Sequence, residues 1–357
     1  MIMRGLLRSA RLQPYASTIN VSFVSEARAL LELVRQGAYT QASSRMMDVH
    51  EGDQVDFYAY VGKQVEAPAL AAQWRATEPH STDAALLLAF AELGEGWRLR
   101  GETYFHEIPE ARKRAFPLKF QAAQRLFREL ADRADAPPLA IYGLLHCDVV
   151  CGIERDARGD RFAQVMALAP FHAPSIYMMA KASMEKWSGS DEEMWAYLRW
   201  ISEHAPRGRD AHAVIASHVV EWTHPWMDEC NAPLEIVGVV RAANVPGLAD
   251  LVRTALLDWL DVDSAGLERA LAACTSSRER RLRAEFALAL YFAGAWEEAR
   301  LVMKAQGGQV PVEPWCYLAY RGSSILSEML GGTLRCAGLA HDRICRDLGL
   351  DPREICS

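Results

Sequence analysis

Residues 138–170 read PLAIYGLLHCDVVCGIERDARGDRFAQVMALAP, and residues 174–206 read PSIYMMAKASMEKWSGSDEEMWAYLRWISEHAP. The two stretches share one length and one punctuation. Each opens on a proline suited to the first turn of a helix, where its missing N–H has no intrahelical partner to lose, and each closes on Ala-Pro. Between those marks, Leu144, Val149 and Val150 and then Phe162, Val165 and Leu168 give two apolar helical faces in the first copy. In the second copy, Ile176, Tyr177, Met179, Ala180 and Met184 precede a break at Ser188-Gly189. Ser190 then starts a helix as an N-cap, with Glu193 three residues on able to reach back to its backbone, and Trp195, Leu198 and Ile201 form the packing face. Helix-turn-helix units of fixed length predict an all-α protein built as a stacked solenoid.

The rest of the chain agrees in class. Alanine, leucine, arginine and glutamate dominate, and β-branched runs are short. Helices are expected near Val24 to Arg35 and Tyr39 to Val49 with Gly37 between them, followed by breaks at Glu51-Gly52-Asp53 and between Gly62 and Pro68. Ser81 caps a long helix through Leu86, Phe90, Leu93 and Trp97 that ends near Gly101. Pro109 to Ala134 reads as helix interrupted near Pro117. A further helix is expected from Asp210 to Trp222, others near Leu234, from Leu248 to Trp259 and around Leu267 to Ala273, and another stretch from Arg280 to Gln306. The least regular stretch, 224–233, reads as an internal joint within one helical-repeat domain over 23–357.

Bulk properties narrow the function. A net charge of −7, from 46 acidic against 39 basic residues, leaves no general excess with which to neutralise a phosphate backbone, so nucleic acid is not the expected partner. Eight irregularly spaced cysteines in 357 residues do not form the framework of a small secreted domain, and reduced thiols in a cytoplasmic protein are the expectation. No stretch approaches the roughly 20 consecutive apolar residues of a membrane span. Residues 1–22 form a leader in which Arg4, Arg8 and Arg11 occur with no acidic residue. It resembles an organelle-targeting or membrane-surface segment, with a flexible tail as the competing expectation.

The segment Arg280 to Pro311 resembles a tetratricopeptide repeat. Ala287 and Ala299 hold small positions, Gly294 the turn, Trp296 and Met303 large apolar places, and Pro311 the end. The spacing Gly294 to Pro311 equals that of Gly189 to Pro206, whereas the copy at Pro138 departs with His146 at the small position and Ile153 where glycine is expected. The runs Ala180-Lys181, Glu185 to Met194 and His204 to Gly208, with Trp97 to Gly101, are similar to a group of uncharacterised bacterial tetratricopeptide-like proteins. That resemblance covers Ala84 to Trp222. It implies a right-handed α/α superhelix and supplies no reaction.

Two sets of residues have the chemistry of metal ligands. His218, Glu221 and His224 follow an H-x-x-E-x-x-H spacing with His212 nearby, although at about 100° per residue they spread round a third of the helix instead of sharing one face. His146, Cys147 and Cys151 are the second set, weighed against cysteine's habit of packing as a small hydrophobe. Asp191, Glu192 and Glu193 are accounted for by a first helical turn. The run Arg278, Arg280, Arg281 and Arg283 reads as a solvated face. Central tryptophans Trp187, Trp195, Trp200, Trp222 and Trp226 read as wedges between helices. The repeat geometry places Ile176, Met179, Ser183 and Lys186, and Arg281, Ala284, Leu288 and Tyr291, on a concave groove. A scaffold that binds a protein or peptide, as adaptor, chaperone or toxin-neutralising partner and with no cofactor, is the expectation. A metal-dependent enzyme using His212, His218, Glu221 and His224 is the alternative.

Overall fold

The computed structural model describes residues 17–19, 24–101, 106, 108–151, 155–187, 189–229, 242, 245–307, 309–311, 314–315 and 332–355. Their regular structure is helical apart from one short parallel pair of strands. The chain divides into two compact units, Phe23–Met194 and Met1–Ser22 with Trp195–Ser357. The division falls between Met194 and Trp195.

After β1 (Ser17–Ile19), which belongs to the other unit, the unit Phe23–Met194 runs α1 (Val24–Arg35), α2 (Tyr39–Met47), α3 (Glu51–Gly62), α4 (Ala67–Thr77), α5 (Thr82–Arg100), α6 (Glu110–Ala131), α7 (Pro138–Cys151), α8 (Arg155–Leu168) and α9 (Ala173–Ala182). A 3-10 turn at Glu185–Trp187 leads to α10 (Asp191–His204), within which the division lies. α5 is capped by Ser81, whose hydroxyl accepts from the Ala84 amide at 3.2 Å, and ends at Gly101 with φ +68. It buries residues on all sides, from Ala84 to Gly96, as a central helix must. α3 reaches it at a crossing of two glycines: a Cβ on Gly94 would lie 2.3 Å from the Gly62 carbonyl carbon, and one on Gly62 2.2 Å from the Phe90 oxygen. Tyr58, Phe90 and Phe127 continue that core from α3 through α5 to α6, with ring centroids 4.9 and 5.1 Å apart. In α7 the fully buried Asp148 accepts from Gln124 at 2.9 Å and meets the Arg161 guanidinium at 2.5 Å; burial nevertheless holds its carboxyl above the usual range.

One expected break is absent, and another lies a few residues earlier, at 48–50. α6 passes through Pro117 uninterrupted, because Phe120, Ala123, Phe127 and Leu130 bury one long face and outweigh a proline penalty of about 3 kcal/mol. α3 starts at Glu51 inside the expected Glu-Gly-Asp break, where acidic residues suit a helix N-terminus.

The second unit contains α11 (Ala213–Glu229), preceded by a 3-10 turn at Asp210–His212, then α12 (Leu248–Leu260), α13 (Leu267–Ala273), α14 (Ser277–Phe292), α15 (Trp296–Gln306), β2 (Gln309–Pro311), α16 (Gly332–Asp347) and α17 (Pro352–Ile355). β1 pairs with β2 in parallel, Thr18 opposite Val310, so the end of the expected leader is a strand; residues 1–16 lie outside the described set. α11 continues past Pro225 to Glu229, which moves regular structure into the expected joint, while residues 230–241 and the helix expected near Leu234 lie outside the described residues. α14 is the central helix here, buried from Leu282 to Phe292. Gly294, at φ +75, turns it into α15 at the residue that the repeat spacing marked. Ala287, Ala299 and Met303 are fully buried, as their small and large places require, but Trp296 is 58% exposed and does not pack as expected. Among the described residues, no helix is long and apolar enough to cross a membrane.

Candidate functional site

Of the His/Glu set, the described side chains are His212, His218 and Glu221. His212 is fully buried, and its Nε2–H points at the carbonyls of Ala205 and Pro206, both at 3.2 Å, so it caps the end of α10. Burial lowers its pKa, against the pull of Asp258. His218 is also fully buried and donates Nδ1–H to the Val214 carbonyl at 3.0 Å, one turn back along its own helix. Glu221 is half-buried, and the His224 side chain lies outside the described residues. Among those residues, no three His, Cys, Asp or Glu side chains come together as a metal would require.

The second set separates as well. Cys147 is buried in α7, and burial pushes its thiol far up, while Cys151 sits exposed at the helix end with its thiol also raised by desolvation. Protonated thiols are poor ligands and nucleophiles.

The expected groove faces are packed. Ile176, Ala284 and Leu288 are fully buried and Tyr291 nearly so, its hydroxyl donating to Asp347 at 3.2 Å. Met179 packs on the apolar core, Ser183 donates back to the Met179 carbonyl at 2.9 Å, and Arg281 is half-buried. The Lys186 side chain lies outside the described residues. Ile176, Ala284, Leu288 and Tyr291 thus belong to the core, since large apolar residues there are the cheapest source of burial, while Met179, Ser183 and Arg281 are half-buried.

What stands partly open is the neighbouring face of α9. Tyr177 and Lys181 are one helical turn apart, and the Lys181 ammonium lies 5.5 Å from the Tyr177 ring and 5.6 Å from the Trp187 ring, within cation–π range of both. His146 of α7 is close enough for Lys181 to depress its pKa. Burial comes first, then Lys181 and Lys63, and together they bring the imidazole down to about 3. The His146 ring lies 6.0 Å from Trp97 of α5 and 5.9 Å from Tyr142, whose hydroxyl is 3.3 Å from Nδ1. Tyr142 in turn meets His172, whose Nδ1 is 2.8 Å from the Ser175 hydroxyl. Trp97, His146, Tyr177, Lys181 and Trp187 are all half-buried, over a fully buried layer. The result is an aromatic surface with a held cation and a neutral imidazole. It can stack on a planar group and pair with a carboxylate.

The signal for this site was present in Tyr177 and Lys181 at i and i+4. It was hidden because Trp187 reaches Lys181 through a 3-10 turn that has no periodicity. Its parts come from both stretches that carry the tetratricopeptide-like resemblance, Trp97 from one and Lys181 and Trp187 from the other. Arg283, assigned to a solvated face, is instead buried, donating to the carbonyls of Leu271 at 2.8 Å and Ala305 at 2.9 Å. No family model, curated protein or solved structure matches the chain.

Proposed function

We propose that this chain is a non-enzymatic helical-repeat scaffold, a tetratricopeptide-like right-handed superhelix of bacterial type acting in the cytoplasm, that binds a protein or peptide partner as an adaptor, chaperone or toxin-neutralising protein. The observation that carries the reading is the half-buried surface of Trp97, His146, Tyr177, Lys181 and Trp187. Large aromatic rings left partly accessible over a packed interior are what interface anchors consist of. The caged ammonium adds a preference for an acidic side chain or a chain-terminal carboxylate, since desolvation by the rings strengthens its pairing. The paired helices α7–α8 and α14–α15 support the repeat architecture. Their recurring Gly and Pro punctuation fits helical hairpins that share a core with their neighbours.

The test is affinity purification of the full-length tagged protein with mass spectrometry, repeated on Lys181→Glu and on Trp187→Ala. A partner retained by the parent protein and lost by Lys181→Glu supports the reading. Equal recovery by all three proteins overturns the assignment of the site, and recovery of no partner by the parent overturns the scaffold.

A further inference from the structure

The outer face of α15 has a different character from the α9 surface. Its packed side holds Ala299, Val302, Met303 and Gln306, all buried. Along the other side, Trp296, Arg300 and Lys304 follow at i, i+4 and i+8, a spacing that keeps them in one strip. Trp296 is 58% exposed and is the only tryptophan whose described side chain is exposed. Arg300 and Lys304 are exposed and line a cleft of about 370 Å³ with Gly349, Leu350, Asp351 and Ile355.

Neither cation has an ion-pair or hydrogen-bond partner among the described residues, in contrast to others in the same unit. Arg253 pairs with Glu298 and Asp250, Arg207 with Asp258 and Asp261, and Arg278 with Asp210. In a chain of net charge −7, two neighbouring cations outnumber the one carboxylate of the lining, Asp351, and with an exposed indole and an apolar wall of Leu350 and Ile355 they form a locally inverted patch.

We infer that this strip and cleft dock an acidic peptide segment, independently of the α9 surface. Two carboxylates one helical turn apart on the peptide would meet Arg300 and Lys304, and an apolar side chain would cover Trp296 or enter against Leu350. Charge complementarity selects the occupant. Two cations are too few for the counterion release that holds nucleic acid, and Asp351 in the lining opposes a dense polyanion. The overall negative charge also disfavours a second copy of the chain.

Fluorescence anisotropy of full-length protein with a short fluorescein-labelled peptide, carrying glutamates four residues apart and one phenylalanine, tests this. The same peptide with glutamine in place of every glutamate is the control. The expected result is saturable binding that weakens with added salt, falls about tenfold or more in the Arg300→Glu, Lys304→Glu double variant, and falls about threefold in Trp296→Ala. All three positions are exposed, and circular dichroism checks that the variants fold. Equal binding of the glutamine peptide, equal binding by the double variant, or self-association lost in the double variant each overturns the proposal. Lys181→Glu should bind the probe as the parent does. That arm separates this site from the α9 surface, and loss of binding there would assign the peptide to α9 and overturn the inference.

Discussion

Where α3 meets α5, two glycines leave almost nothing between the backbones; where α14 meets the ends of α13 and α15, a whole guanidinium fills the space. The first crossing closes by removal of side chains, with Gly62 and Gly94 letting the helices approach until no Cβ fits. The second closes by addition. Arg283 lies in the buried face of α14 and gives N–H groups to Leu271 and Ala305, carbonyls in the last turns of two helices whose C-terminal oxygens lack intrahelical donors. Both solve one problem, how to bring helices together without stranding polar backbone or empty space. They fail in different ways when altered.

The glycine crossing is the less forgiving. Gly94→Leu would drive a branched side chain into the Gly62 backbone, which cannot rotate away, and is expected to destabilise by about 3 kcal/mol or more. Urea unfolding followed by circular dichroism measures it. The same experiment on Gly159→Ala, in the exposed middle of α8 where a Cβ meets nothing within 4 Å, should instead gain about 0.5–1 kcal/mol. If Gly94→Leu were as mild as Gly159→Ala is favourable, the close approach would be wrong.

Arg283→Met keeps much of the apolar stem and removes the donors. Two buried carbonyls lose partners, while the burial of a charge is relieved, and the expected net loss is about 2 kcal/mol. Arg283→Lys should recover only part of it, because one ammonium does not reproduce the fork that reaches two helix ends. Full recovery by lysine would reduce the crossing to simple charge.

These two crossings also mark what the chain makes legible. Signals confined to a turn or two were readable: the Ser81 cap, the long helix to Gly101, the Gly294 turn and the boundaries of α1 and α12 follow from spacing and capping residues. Signals that depend on a neighbour were not. Gly62 reads rightly as a helix end, but nothing local says that Gly94 faces it, and Pro117 reads as an interruption because the face that outweighs it becomes visible only when α5 and α7 are in place. The arginine run mixes Arg278, which pairs with Asp210, and Arg283, which is interior, with no difference in sequence character. What packs against each expected groove residue was hidden for the same reason. Helical spacing identifies a face without saying what lies against it, so Ile176 and Leu288 proved to be core while Tyr177 and Lys181 stand beside solvent.

The N-terminal end of α14 sharpens the arginine side of the comparison. Ser276 and Glu279 form a reciprocal capping box, with the Glu279 amide 3.1 Å from the Ser276 hydroxyl and the Glu279 carboxylate 2.9 Å from the Ser276 amide. Ser276→Ala should cost about 1 kcal/mol in the same unfolding experiment. It acts one turn or more from Arg283, so the effect should add to that of Arg283→Met; a markedly smaller combined loss would mean that the guanidinium already loosens the start of the helix.

Acid should distinguish the units by their buried cations. Arg283 stays charged throughout the range in which carboxylates and histidines titrate, although burial lowers its pKa, so it adds no slope of stability with pH there. His146 behaves differently. Desolvation first, then Lys181 and Lys63, hold the imidazole at about 3 against an ordinary value of 6.5, with the Tyr142 hydroxyl beside its Nδ1. Between those values the unfolded chain takes up a proton that the folded protein refuses. The contribution is therefore fully present above about pH 6.5 and declines as pH falls toward 3. Replacing the ring by His146→Phe should flatten this decline by about 0.5 kcal/mol between pH 7 and pH 6, read from urea midpoints at the two values. His212 also carries a burial-lowered pKa, so the parent slope holds more than one group, and only the difference between parent and variant assigns the share of His146. An unchanged slope in His146→Phe would mean that the imidazole is open enough to water to be protonated in place, and the α9 surface would then present two positive groups near pH 6 where the geometry gives it one.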